Sequence, residues 1–230
     1  MEKQYTNTCT VINNVISCFD ELSEDEKKLV EASKVTVTYK KGETICKQGA
    51  FASHIIYLQE GLCKIYLEGK DKNLILKISP SNNLIGLPSI YDGNNVFLYS
   101  ASTYIDSTVE LIDIALFKQL IQQNPKFAFR IINILNENTV QTYGRFFCLT
   151  NKQLHGRVAD IILCLADRIY KSQRFDLPLS RGDLAELTGM STESVVRVIK
   201  DFKDDGLIVQ NGKEFEIRNY EMLDKISKLG

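Results

Sequence analysis

From about Val35 to Ile114, apolar and polar positions alternate with a period of two, interrupted at short intervals by glycine. "VTVTY", "HIIYLQEG", "CKIYLEG", "NLILKIS" and "VELIDIA" are rich in β-branched and aromatic residues, which suit a pleated, half-buried surface. Gly42, Gly49, Gly61, Gly69, Gly86 and Gly93 stand between these runs or at their ends. Short strands so spaced predict an antiparallel sandwich or roll. Ahead of them, Ser23 with Glu26 three residues on is the capping-box signature of a helix start. Near "LFKQLIQQNPKF" the period becomes helical and stays so to Leu149, with Pro125 marking a break between a short helix and a long one.

On the long helix Ala128, Ile132, Leu135, Thr139, Thr142, Phe146 and Leu149 recur at steps of four and three. That is the seam of a two-stranded coiled coil; the alternative is an amphipathic helix lying on its own domain. Polar Thr139 and Thr142 in mid-seam make that turn a place where something besides packing is decided. Past Asn151, "GRVADIILCLADRIY" is apolar at helical spacing, and two more helices and a hairpin follow.

The stretch "LAELTGMSTESVVRVIK", Leu184–Lys200, predicts two helices joined by a tight turn. Ser180 with Asp183 opens the first helix as a capping box. Small Ala185 allows a close crossing, Gly189 supplies the turn, Met190 closes it over the core, and Ser191 caps the second helix. Val195, Val198 or Ile199, and Phe202 then point inward, which leaves Thr192, Glu193, Ser194, Arg197 and Lys200 outward. The pattern is that of a helix-turn-helix, whose second helix is presented to DNA. Arginine can fork onto guanine, glutamate can accept from cytosine, and hydroxyls reach bases or phosphate. "LIVQNGKEFEIR" reads as a hairpin with a type I′ turn at Asn211-Gly212, placed as a wing. A bare surface pair between Glu193 and Arg197 is the bland reading, and the agreement of turn, caps and wing argues against it.

With 230 residues, 44% hydrophobic and 25% charged, the chain is ordinary for a folded protein, and its length suggests two domains. A net charge of -1 provides no global attraction to nucleic acid, and 150–230 carries 13 basic and 13 acidic side chains. Any DNA contact therefore rests on a few placed residues. No signal-peptide run or membrane-length apolar window is present, so a cytoplasmic protein is expected. Cysteines stand at 9, 18, 46, 63, 148 and 164 without a C-x2-C pair, which reads as buried free thiols rather than a metal site. Neither a nucleophile–base constellation nor a set of converging histidines suggests an enzyme.

The chain resembles the CRP/FNR family of bacterial transcription regulators from about Leu22 to Asn219. "KKGETICKQG" and "IIYLQEGLCKIYLEG" are similar to the family's β-roll, Asn124-Pro125 precedes its dimer helix, and "SRGDLAELTGMSTESVVRVIKDF" resembles its helix-turn-helix. The expected fold is α+β, with an antiparallel, cyclic-nucleotide-binding-like β-roll sensor over 1–125. A dimerisation helix over 126–150 and a winged helix-turn-helix over 151–230 follow. The resemblance implies a homodimer with Ile132, Leu135, Thr139, Thr142, Phe146 and Leu149 at its seam, on palindromic double-stranded DNA, with RNA polymerase as a further partner and no membrane. By position, Glu193 and Arg197 match the family's base-reading pair, and Ser191 and Ser194 its hydroxyls. Thr192 stands in place of an arginine, and Val196 in place of a small or polar residue.

Resemblance also places an effector pocket at Gly86, Leu87, Tyr99, Ser100 and Thr142. In cyclic-AMP-binding relatives the second and third of these are glutamate and arginine. Without the guanidinium a buried phosphate is uncompensated, which disfavours cyclic AMP. The family's iron–sulfur branch needs a cysteine cluster that the Cys9–Cys18 spacing does not reproduce. Haem, with His54 in a roll loop or His155 at the hinge as ligand, is the alternative for gas sensing. The leading expectation is an unidentified small-molecule effector at the roll, or no ligand at all.

Overall fold

The computed structural model describes residues 18–70 and 72–230, so Cys9 lies outside the described residues. Two compact units emerge, one running up to Glu68 and over Ile78–Thr139, the other comprising Gly69–Lys77 and Val140–Gly230.

In the first unit, α1 (Glu24–Ser33) begins at the expected capping box. The Glu26 amide donates to Ser23 Oγ at 3.3 Å, and the Ser23 amide donates to the Glu26 carboxylate at 2.8 Å. Then come β1 (Val35–Tyr39), β2 (Thr44–Cys46), β3 (His54–Glu60), β4 (Leu62–Leu67), β5 (Leu74–Pro80), β6 (Asn83–Ile85), β7 (Ser100–Thr103) and β8 (Ser107–Asp113). They form two four-stranded sheets, ordered β1-β8-β3-β6 and β2-β7-β4-β5, which is the antiparallel roll that the alternation predicts. In the first sheet, antiparallel pairing sets Val37 against Val109, and Ile56 between Leu111 and Ile85. Gly61 must be glycine, because at φ +119 a Cβ would sit 2.1 Å from Ser107 Oγ.

Two local expectations are corrected. His54 does not sit in a loop but opens β3, where it pairs with Asp113. The "VELIDIA" strand stops at Asp113, whose carboxylate accepts the Leu116 amide at 2.9 Å and so starts α2 (Ile114–Gln123) two residues early. The core below gathers Ile55, Ile112, Phe117, Leu120, Phe127, Ile131 and Ile134, with the Phe117 and Phe127 rings edge-on at 5.3 Å.

The long helix α3 spans Pro125–Asn151. Asn124 Oδ1 accepts the amides of Lys126 and Phe127, at 3.1 and 3.0 Å, and so fixes its start. One face buries Phe127, Ile131, Ile134, Gln141, Arg145 and Cys148, with Arg145 Nε donating to the Ile75 carbonyl at 3.1 Å. Phe129, Ile132, Val140, Tyr143, Phe146 and Phe147 are exposed. The exposed stripe therefore departs from the seam expected on spacing. Leu135 packs against the core, and Leu149 lies half-buried beside Gly189, 3.3 Å from where a Cβ would stand. Ile132, Thr139, Thr142 and Phe146 do remain exposed. At 100° per residue Leu135 and Leu149 fall on the edge of the pattern nearer the buried Ile131, Ile134 and Arg145, whereas Ile132, Thr139 and Phe146 fall farther from that face.

The second unit continues with α4 (Leu154–Cys164), a π-helical turn over Leu165–Tyr170, β9 (Arg174–Asp176), α5 (Arg181–Thr188), α6 (Thr192–Asp204), β10 (Ile208–Asn211), β11 (Glu214–Ile217) and α7 (Tyr220–Leu229). Just beyond α3, Lys152 is buried with Asp160 of α4 and Ser227 of α7. Lys152 Nζ lies 2.8 Å from Asp160 Oδ1 and 3.2 Å from Ser227 Oγ, and that hydroxyl donates to Asp160 Oδ1 at 3.0 Å. The three side chains tie the end of α3 to both flanking helices.

Candidate nucleic-acid interface

The helix pair is built by short-range chemistry. Ser180 and Asp183 form the reciprocal cap of α5. Gly189 ends α5 at φ +64, a left-handed conformation that favours glycine. Met190 is buried behind it, and Ser191 Oγ accepts the Ser194 amide at 3.2 Å to start α6. Val195, Val198, Ile199 and Phe202 are all buried, so burial fixes the rotation of α6 about its axis.

That rotation leaves Thr192, Glu193, Arg197 and Lys200 exposed on the opposite side, with Ser194 half-buried between. The hydroxyls of Ser191 and Ser194 are bonded to each other at 3.2 Å. Backbone amide donation at the start of α6, together with Ser191, holds the Glu193 carboxyl below its ordinary range. Glu193 thus meets a partner as an acceptor. Val196, a departure from the family's small or polar residue type that is absent from the expected interface, is exposed on the same side.

The wing is present as a sheet ordered β10-β11-β9. Its turn differs from expectation. Asn211 pairs with Glu214, so the two-residue loop is Gly212-Lys213, with Gly212 at φ +61 and no positive φ at Lys213. Glycine first is the signature of a type II′ turn rather than I′. Arg181 donates to Gln210 Oε1, and Gln210 Nε2 donates to the Gly212 carbonyl at 3.1 Å, so the start of α5 holds the wing tip.

At the expected effector pocket, polar groups close on one another. Tyr99 is buried, and its hydroxyl accepts the Gly86 amide at 2.8 Å. Burial pushes the Tyr99 phenol well above its ordinary range. Leu87 is buried beside it. Ser100 Oγ accepts the Gln48 amide at 2.9 Å and donates to Glu68 at 2.7 Å. Thr142 belongs to the other compact unit and is exposed along α3. His54 Nδ1 lies 2.7 Å from Ser53 Oγ, and His155 Nε2 lies 3.0 Å from Asp201 Oδ2 in the second unit. Among the described residues, no group of three or more His, Cys, Asp or Glu could hold a metal ion. Cys18, Cys46, Cys63 and Cys148 are buried free thiols. No described helix is long and apolar enough to cross a membrane.

A family profile described as a cyclic nucleotide-binding domain matches residues 36–124, and one described as a Crp-like helix-turn-helix domain matches 156–226. The chain is 24% identical over 201 residues to the transcriptional activator protein anr of Pseudomonas aeruginosa, covering 84% of this chain and 81% of that protein. It is 25% identical over 181 residues to the cAMP-activated global transcriptional regulator CRP of Salmonella typhimurium, covering 76% and 85%. Among solved structures, FixK2 from Bradyrhizobium japonicum superposes with a TM-score of 0.76 at 19% identity, over 84% of this chain and 96% of that one. A transcriptional regulator of the CRP/FNR family from Thermus thermophilus gives 0.70 at 18% identity, over 84% and 98%. With the roll, the long helix and the helix-turn-helix all in place, the chain belongs to the CRP/FNR family of transcription regulators.

Proposed function

We propose that the protein regulates transcription as a homodimer that binds palindromic double-stranded DNA, inserting one α6 per half-site, under control of a small effector at the roll. The observation that carries this reading is the rotation of α6. Its apolar side is buried, and Glu193, Arg197, Thr192 and Lys200 are left on one exposed side. Ser191 and Ser194 at the start of the helix reach the backbone, and Lys200 one turn on adds a phosphate contact.

Dimerisation is proposed through the exposed stripe of α3, with Ile132, Thr139 and Phe146 kept from the expected seam and Phe129, Val140 and Tyr143 added. Phe146→Glu and Tyr143→Glu are expected to yield monomers by light scattering and to abolish binding to a two-half-site duplex. RNA polymerase is the proposed partner at the promoter.

The proposed effector site at Gly86, Leu87, Tyr99 and Ser100, where these groups now close on one another, would favour an uncharged effector. A molecule entering there displaces the Tyr99 hydroxyl and must itself accept the Gly86 amide, because leaving that donor unpaired costs about 1–3 kcal/mol. A phosphate would meet Tyr99 and Leu87 rather than a cation, which argues against cyclic AMP. Haem is the second reading for this pocket, and the Ser53 and Asp201 contacts of the two histidines do not favour it.

The decisive experiment is retardation of duplexes selected from a random library. An inverted repeat bound with a steep salt dependence supports the reading. Failure to enrich any inverted repeat rejects it.

A further inference from the structure

The exposed side of α6 is polar except at one place. Val196 is the only large apolar side chain of α6 exposed among the described residues, at 48%. It is not a leftover of the inward stripe, because Val195, Val198, Ile199 and Phe202 already fill that side and are all buried. At 100° per residue Val196 flanks the line of Glu193 and Arg197, with Thr192 one turn before it on the same flank. Along the axis it stands about 4.5 Å beyond Glu193 and about 1.5 Å short of Arg197. The axial offset from Glu193 is thus of the order of the roughly 3.4 Å base step, while Arg197 is separated from Val196 mainly around the helix.

The flank formed by Thr192 and Val196 offers methyl groups, and Val196 has neither donor nor acceptor. In the major groove one base edge answers that chemistry: the C5 methyl of thymine, which is recognised by apolar contact. Valine pairs with neither the O4 acceptor of thymine nor the N4 donor of cytosine, so the C5 methyl that cytosine lacks is what separates the two bases at this position.

We propose that Val196, assisted by the Thr192 methyl, is a specificity-determining residue that reads the C5 methyl of a thymine next to the base pairs contacted by Glu193 and Arg197. The inference rests on the proposed DNA binding through α6 and names a base that this reading leaves open.

The test is made on the full-length protein with the duplex selected above. Each thymine of a half-site is replaced in turn by uracil, which removes the methyl and leaves the base pairing intact. Wild type is expected to lose about threefold to fivefold in affinity at one thymine per half-site, as removal of one buried methyl implies. Val196→Ala is expected to bind the thymine duplex more weakly by a similar factor and to be indifferent to uracil at that position. 5-Methylcytosine in place of cytosine there should recover part of the wild-type affinity. Because Val196 is exposed, thermal melting should confirm that Val196→Ala remains folded. If every uracil duplex binds wild type as well as its thymine parent, the inference is overturned. It is equally overturned if Val196→Ala keeps the full uracil penalty. Failure of wild type to select any site rejects the DNA-binding reading itself, which is a separate outcome.

Discussion

On α6 the side chains of Thr192, Glu193, Arg197 and Lys200 end in solvent, whereas in the roll the Tyr99 hydroxyl, the Gly86 amide and the Ser100 hydroxyl end on one another or on Gln48 and Glu68. Both regions carry hydrogen-bonding groups at positions that the family resemblance marks as candidate contacts. In one they remain available to an external partner, and in the other internal bonds already hold them. A buried polar group must be paired within the protein, while an exposed one is paired by water that a partner can replace. Changes on α6 should therefore alter binding and spare stability, and changes among the closed groups should do the reverse.

The largest effect is expected from a closed group within the same unit as α6. Lys152→Ala removes the cationic partner of buried Asp160, leaving it the Ser227 hydroxyl, and should lower unfolding free energy by about 3–5 kcal/mol in urea titrations. A change below about 1 kcal/mol would break the comparison, since it would mean that water reaches that cluster. Arg197→Ala comes next. Loss of one forked base contact should weaken specific DNA binding about 10- to 100-fold while stability changes by no more than about 0.5 kcal/mol. A large loss of stability there would mean that Arg197 has a role inside the fold.

Tyr99→Phe is expected to cost about 1–3 kcal/mol, because the buried Gly86 amide loses its acceptor, with the effector-free DNA affinity of the folded protein unchanged. If stability is unaffected, something else satisfies Gly86 and the pocket is more open than its bonds suggest. The smallest effect concerns the thiols. Burial pushes Cys148 to about 11, and Cys18 and Cys46 to about 12, from an ordinary 9.0. The folded state therefore keeps these protons where the unfolded chain releases them. Their contribution to stability is full below pH 9 and falls as pH rises from 9 toward 11 and 12. Alkylation of native protein at pH 8 should leave these three thiols unmodified.

Much of the molecule was legible because its determinants are local. The caps at Ser23, Ser180 and Ser191 each join atoms three residues apart, and Gly189 answers a single backbone torsion. The period of two in the roll and the inward stripe of α6 are likewise carried by a dozen residues or fewer. Where the reading erred, the deciding partner was elsewhere or the margin was small. Asp113 competed as a cap against the β-branched run that continued past it, and the hairpin shifted by one residue because pairing of Asn211 with Glu214 set its register.

By itself, then, the sequence determined five of the eight roll strands, the long helix, the helix-turn-helix and the outward polar set of α6, since hydrogen bonds and periodicity within a few residues dictate them. Only the tertiary structure decided that Leu135 and Leu149 turn inward, that Tyr99 closes on Gly86, and that Lys152 meets Asp160 and Ser227. Each of these depends on which side of an element is covered and by what. Packing between segments distant along the chain settles that question, and no local pattern encodes it.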